Sequence, residues 1–254
     1  MSNKQDFYEK QSYRDLIGAG LSSRHLNVLE ISAKYCSGRH INRILDLGCL
    51  DGKFSMLLGK NLAANEVYGV DISVANIENA RSQGCKAFLS DLDSDYLPFD
   101  DASFDFIHMG DVIEHMYNPD NILREIHRLL TNDAVCIITT PNLAALANRI
   151  ALLLGYQPFP VGTSLENDTG KLFISSPLLL GSHIRVFTYR AFYQLLHLHK
   201  LKVIKVVGMP LSSGGETTGR VKFVRFIERS LLASTLYKIS PGLAWDLLFV
   251  LKSE

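Results

Sequence analysis

The sequence predicts an α/β protein built on a doubly wound, mostly parallel sheet, and three observations carry that prediction. Apolar strand-like runs alternate with helical periods from about residue 42 to residue 139. A glycine-broken turn, Gly48-Cys49-Leu50-Asp51-Gly52, joins the first strand to the helix after it. Aspartates stand at the ends of the first three strands, at Asp46, Asp71 and Asp91. Such alternation implies parallel strands covered on both faces, joined by right-handed crossovers. Ligands of open sheets sit beyond the carboxyl ends of the strands, which is where these acids and this turn fall.

Each element has its own justification. Residues 1–23 form a polar lead carrying Tyr8 and Tyr13, and the Ser22-Ser23 pair caps a helix whose apolar positions are Leu26, Val28, Leu29, Ile31 and Tyr35. Ser37-Gly38 stops that helix. Strands are expected at 42–47, 66–71, 85–90, 104–109 and 134–139, with a helix capped by Ser73 and another over 121–130. Alternation then lapses over about 142–187, an insertion that opens with an apolar helix at 143–154 and is long enough to cap a pocket. A helix at 188–199 and strands at 201–207 and 246–252 bracket a second insertion at about 208–244. There Arg220, Lys222, Arg225 and Arg229 interleave with Val224, Ile227 and Leu231. That cationic amphipathic face reads as an ordinary solvated one, with peripheral contact to an anionic membrane as the alternative.

Composition narrows the class. A chain of 254 residues, 47% hydrophobic, suits one domain with insertions over its whole length, 1–254. Its 26 basic and 26 acidic residues leave a formal charge of zero, so no nucleic-acid partner is expected. Cysteines 36, 49, 85 and 136 form no CxxC, which favours reduced buried thiols; no metal ligands are expected. The polar N-terminus and the lack of a spanning apolar run point to a cytoplasmic protein without a transmembrane segment.

A dinucleotide fingerprint needs glycine at the first, third and sixth positions, but from Gly48 those places hold Gly48, Leu50 and Lys53, which disfavours a dehydrogenase. Asp71, ending the second strand, is placed to accept hydrogen bonds from ribose hydroxyls. Gly48 and Gly52 would leave room for a ligand, Asp46 would face the crevice, and Gly110 would give clearance at the end of the fourth strand. Asp46, Gly48 and Gly52 match, and Leu50 departs from, the acidic-x-Gly-x-Gly-x-Gly motif. The stretch from Phe104 to Pro119 with its Glu114-His115 pair, Thr139-Thr140-Pro141-Asn142, and His183 to Thr188 extend the match over roughly 42–207. In these features the chain resembles class I S-adenosylmethionine (SAM)-dependent methyltransferases, best the ubiquinone-type O-methyltransferases and MetW-like proteins.

That resemblance implies a Rossmann-like, seven-stranded sheet with an antiparallel last strand and SAM as cofactor. It implies a cofactor set of Asp46, Gly48, Cys49, Gly52, Asp71, Ile72, Asp91, Leu92 and Met109, with Tyr8 and Tyr13 closing over it. In the family resembled, the acid at Asp91 holds the adenine amino group and the amide at Leu92 meets the ring. The acceptor implied is a small molecule, sugar or lipid-linked intermediate methylated on a hydroxyl. The alternatives are N-methylation and a non-catalytic MetW-like partner protein. A hydroxyl acceptor needs a base, and His183 and His115 are the candidates, with Glu114 orienting one of them. Arg185 would keep His183 neutral if their side chains are close. His108 reads as buried, and His197 and His199 as solvated.

Overall fold

The computed structural model describes residues 21–164, 169–172, 183–211 and 231–254, the last span without the side chains of 231–234. Tyr8, Tyr13 and the cationic stretch 219–230 lie outside the described residues. Helix α1 (Ser23–Tyr35) starts at an N-cap, Ser22, whose hydroxyl accepts the His25 amide while the His25 ring takes the Ser22 amide. Strand β1 (Arg43–Leu47) follows, then α2 (Lys53–Asn61), β2 (Glu66–Asp71), α3 (Val74–Ser82) capped by Ser73, and β3 (Lys86–Leu89). Strand β4 (Phe104–Gly110) runs into a single 3-10 turn, Ile113–His115, before α4 (Pro119–Leu129) and β5 (Leu130–Pro141). The remaining elements are α5 (Leu146–Leu153), α6 (Tyr189–Leu198), β6 (Leu201–Met209), α7 (Leu231–Ile239) and β7 (Asp246–Ser253).

The seven strands lie in the order β3-β2-β1-β4-β5-β7-β6, with β7 antiparallel to both of its neighbours and the other pairs parallel. Successive residues of a strand face opposite sides. Leu45, Leu47, Ile107, Met109 and Ile138 therefore pack under α4 with Ile122, Leu123 and Ile126. Ile44, Phe106 and Ile137 pack on the other side with Val28 and Leu29 of α1, Leu58 of α2 and Ile77 of α3. All four cysteines are buried and unpaired, as their scatter suggests. Among the described residues no helix is long and apolar enough to cross a membrane.

The elements differ from the sequence expectation in three places. Strand β5 begins at Leu130, four residues early, because the chain passes from the last turn of α4 straight into pairing with Phe104. Helix α5 begins three residues late. The fully buried Asn142 takes the Ala144 amide on Oδ1 at 3.0 Å, and that side-chain turn competes with helix there. His199 is not solvated but packs its Nε2 2.7 Å from Asp120 Oδ1, joining α6 to α4.

Asn142 also joins the two ends of the second half of the fold. Its amide nitrogen donates to the carbonyls of Gly242 and Ala244 at 2.9 and 2.8 Å, and its backbone amide donates to Trp245 at 2.8 Å. Trp245 in turn supports the first insertion, with Phe159 edge-on at 5.5 Å and Ala147 alongside. Asn142→Ala would remove the donor shared by these two carbonyls, leaving Gly242 only the Arg149 guanidinium at 3.5 Å among the described residues. It should lower stability by about 2 to 4 kcal/mol, read as a shift in the urea midpoint at constant slope.

Candidate active site

The turn after β1 is held by its own packing. The Gly48 and Cys49 amides donate to the Val70 carbonyl at 2.8 and 3.0 Å, tying the loop to β2. Gly48 and Gly52 have φ of +80° and +76°. A Cβ on Gly48 would stand 2.4 Å from Val112 Cγ2, and one on Gly52 would stand 2.8 Å from Ala80 Cα. The glycines are thus required by the turn, as the sequence reading holds, and by close contact within the protein. Leu50 departs from the motif yet keeps the left-handed backbone, with φ of +47°, at a cost of about 1 to 2 kcal/mol. The Cys49 thiol points inward beside Gly69, and burial raises its pKa. Only the backbone of Cys49 lies at the turn.

The three strand-end acids have different surroundings. Asp46 is a correction: it does not face an open crevice but is 3% exposed, with Oδ1 2.7 Å from His108 Nδ1 and Oδ2 accepting the Ser55 hydroxyl. His108 is buried as expected, and its ring fills the space that a Cβ on Gly110 would need, so Gly110 is a packing glycine. Asp71 takes the Leu50 amide on Oδ2 at 3.0 Å, and the Ser73 amide and Asn76 side chain on Oδ1 at 2.9 and 3.1 Å. Asp91 is half-buried and accepts the Asp93 amide and the Ser94 hydroxyl, while its own amide donates to Asp95. Leu92 is buried. Leu50 and Ile72 stand 64% and 70% exposed beside Asp71, two apolar side chains left open at the carboxyl edge of the sheet. The Met109 side chain is fully buried under α4, so at the sheet edge this residue offers its backbone.

A second group of residues gathers where the first insertion returns. The Ile184 and Arg185 amides both donate to the Glu114 carbonyl, at 2.8 and 2.9 Å, and this brings His183 to His115 with ring centroids 4.9 Å apart. His183 Nδ1 lies 3.0 Å from the Pro160 carbonyl. A carbonyl only accepts, so Nδ1 carries the proton and Nε2 keeps its lone pair in the neutral ring. Burial lowers the His183 pKa, reinforced by the charges of His115, Arg24 and Lys171. Arg185 is not among these groups, since its guanidinium turns away to the Tyr117 carbonyl at 2.9 Å. Glu114 is 1% exposed; Oε2 accepts the Thr140 hydroxyl at 3.2 Å, whereas Oε1 has no hydrogen-bond partner. Burial raises its pKa above the usual carboxylate range.

Arg24 escaped the sequence reading. From the first turn of α1 it pairs with Asp111, and its Nε lies 4.0 Å from Asp246 Oδ2. Asp111 also accepts the Thr139 hydroxyl at 2.9 Å. No spacing rule links residues 24, 111 and 246; their meeting is a product of the sheet order. A cavity of about 460 Å³ lined by Arg43, Tyr68, Phe88, Tyr96 and Phe104 lies elsewhere. Arg43 and Phe104 open their strands, so this space is at the amino ends, away from both groups just described.

Residues 45–138 match the methyltransferase domain family. Over those residues the chain carries a class I SAM-dependent methyltransferase domain. A probable SAM-dependent methyltransferase of Mycolicibacterium smegmatis is 29% identical over 119 residues, 47% of this chain and 44% of the relative. Malonyl-[acyl-carrier protein] O-methyltransferase of Legionella pneumophila is 31% identical over 143 residues, 55% of this chain and 47% of the relative. The chain therefore spans about half the length of the curated relatives it matches. The crystal structure of a SAM-dependent methyltransferase from Mesorhizobium loti shares the fold, with a TM-score of 0.57 at 18% identity, covering 89% of this chain and 96% of that one. The cofactor of this family is SAM, and the methyltransferase domain fits it at the carboxyl edge. Asp71 is an acid held at the strand end by amides of the two turns it joins, with exposed apolar side chains on either side.

Beneath the domain's turn, His25, Phe54 and His108 pack in series, with centroids 4.5 and 5.3 Å apart. Burial pushes the His25 pKa down to about 4; Arg24 and His108 lower it further and Asp46 opposes them. Below pH 6.5 the unfolded chain binds a proton at this position that the folded chain refuses until about pH 4. Stability contributed here is therefore full above pH 6.5 and lost as pH falls toward 4. The thermal midpoint of His25→Gln should fall less than that of the wild type over this window, and equal slopes would remove His25 from the account.

Proposed function

We propose that the protein transfers the methyl group of SAM to a hydroxyl of a small-molecule, sugar or lipid-linked acceptor. The observation that carries this reading is the His183 ring, whose Nδ1–H is fixed on the Pro160 carbonyl so that Nε2 of the neutral ring keeps its lone pair, with the His115 ring 4.9 Å away. The O-methyltransferase activity named for the Legionella relative supports an oxygen atom, and not a nitrogen, as the acceptor. SAM, when bound, supplies an electrophilic methyl carbon on a positively charged sulfur. The protein's task is to hold the acceptor oxygen in line with that carbon and to take its proton. His183 Nε2 would take the hydroxyl proton as the acceptor oxygen is methylated and the neutral thioether leaves.

In this reading Asp71 holds the ribose, and the backbone of Gly48, Cys49 and Gly52 turns beneath the methionine part. Asp91 would hold the adenine amino group with the Leu92 amide at the ring and Ile72 beside it, and Met109 would contribute its backbone. Asp46 acts through His108 and Ser55 as a brace, not as a ligand. The described residues of the first insertion would supply one wall of the acceptor pocket, because α5 follows the carboxyl end of β5 and the chain returns at Phe187 and His183. The rival reading, a non-catalytic partner protein, draws on Leu50, but Leu50 keeps the left-handed turn and gives that reading little support.

Calorimetric titration with SAM and its demethylated product tests the cofactor assignment. Asp71→Ala should weaken binding about tenfold to a hundredfold, and an unchanged dissociation constant removes Asp71 from the ribose. Labelled SAM, supplied with a small-molecule extract of the source organism, should place label in base-stable ethers. Label recovered only in amines would replace O- by N-methylation. His183→Ala should lower that turnover at least about tenfold with SAM affinity unchanged, and His183→Gln should not restore it, since an amide is no base.

A further inference from the structure

We propose that Glu114, His115 and His183 form a binding site for a divalent cation of intermediate softness, such as Mn²⁺, Co²⁺ or Zn²⁺, at the acceptor end of the site. Each residue offers one ligand atom, and the three atoms lie within 4.8 Å of one another. Bonds to such ions measure about 2.0 to 2.2 Å, so the ligand atoms need to close in by only a fraction of an ångström to about one ångström. One carboxylate oxygen and two imidazole nitrogens are the donor set that suits these metals and leaves coordination positions open for a substrate. This departs from the metal-free expectation based on the cysteines, which play no part here.

The second observation is the unpartnered oxygen. Glu114 Oε1 is buried without a hydrogen bond while Oε2 is anchored on Thr140, and a buried carboxylate oxygen left bare is costly unless something occupies it. The third is the way the imidazole is held. His183 Nδ1 donates to the Pro160 carbonyl, which is how metal-bound histidines are oriented by an outer shell with the other nitrogen free to ligate. The paired amides of Ile184 and Arg185 on the Glu114 carbonyl fix the two segments that supply the ligands. Nearby, Asp111 and Asp246 converge on Arg24, whose Nε has no acceptor, and this guanidinium is the cation with which an ion would share the acidic surroundings.

The chemical consequence rests on the methyl-transfer reading, whereas the cation site itself does not. An acceptor hydroxyl bound at an open position of the ion would lose its proton to water more easily, because the charge stabilises the oxygen anion. That oxygen would then attack the methyl carbon and displace the neutral thioether. His183 Nε2 would in this case hold the ion and not the proton.

The test uses the whole protein, stripped with a chelator, freed of it, and titrated with Co²⁺ and Mn²⁺ as probes. One equivalent of Co²⁺ should bind and give ligand-field absorption in the visible range, with matching loss of the free Mn²⁺ resonance on titration with manganese. His115→Ala, at an exposed position, and His183→Ala should each weaken binding at least about tenfold. Glu114→Gln should do the same, and His199→Ala, at a distant histidine, should leave it unchanged. Titration with S-adenosylhomocysteine reports in each variant whether the fold and cofactor site persist. Wild-type protein that takes up neither metal overturns the proposal, as does uptake unchanged in both His115→Ala and His183→Ala. Metal uptake without any binding of S-adenosylhomocysteine would leave the cation site standing and remove the methyltransferase reading instead.

Discussion

The carboxyl end of this sheet depends on one buried hydrogen bond, between Asp46 and His108. The two residues are register partners on β1 and β4, so the bond joins adjacent central strands at the level where the turns begin. Ser55 brings α2 to the same carboxylate, and the Phe54 and His25 rings carry the packing on to α1. A buried carboxylate is tolerated only with its oxygens partnered, so both partners are structural requirements of the acid. Asp71, itself 6% exposed, instead bridges the two turns at the carboxyl edge of the sheet.

Leu50 illustrates how a backbone can survive a change in the residue that ordinarily supplies it. The Asp71 carboxylate accepts the Leu50 amide, and the Gly48 and Cys49 amides both donate to the Val70 carbonyl. These bonds hold residue 50 in the left-handed region and offset a cost of about 1 to 2 kcal/mol. The leucine side chain is then directed outward, where together with Ile72 it adds apolar surface to the crevice. A motif that departs at one glycine therefore still builds the same turn, provided that the acid of the next strand is in place.

The residues around Glu114 follow a different logic. They come from the end of β4, the return of the first insertion, the start of α1 and the start of β7, and no two of these segments are neighbours in the chain. A family fold does not dictate what gathers at such a junction, which is why fold and cofactor are more secure than the acceptor. The double donation to the Glu114 carbonyl places the His183 segment, and Asn142 with Trp245 places the insertion that leads to it.

By itself the sequence determined the alternation of strands and helices, the glycine turn and the position of Asp71, because hydrophobic period, caps and strand-end residues are local properties. Helix α1 with its Ser22 cap, β2 at Glu66–Asp71 and α6 after Thr188 could all be read from a few adjacent residues. Tertiary structure decided what each buried acid meets. Asp46 and Asp71 look alike in sequence, each closing a strand, yet one meets His108 across the sheet and the other meets the amides of its turns. It also decided that Arg185 turns to Tyr117, that His199 pairs with Asp120, and that Arg24 reaches Asp111. Such pairings depend on sheet order and on side-chain direction, and neither is encoded in the spacing of residues along the chain.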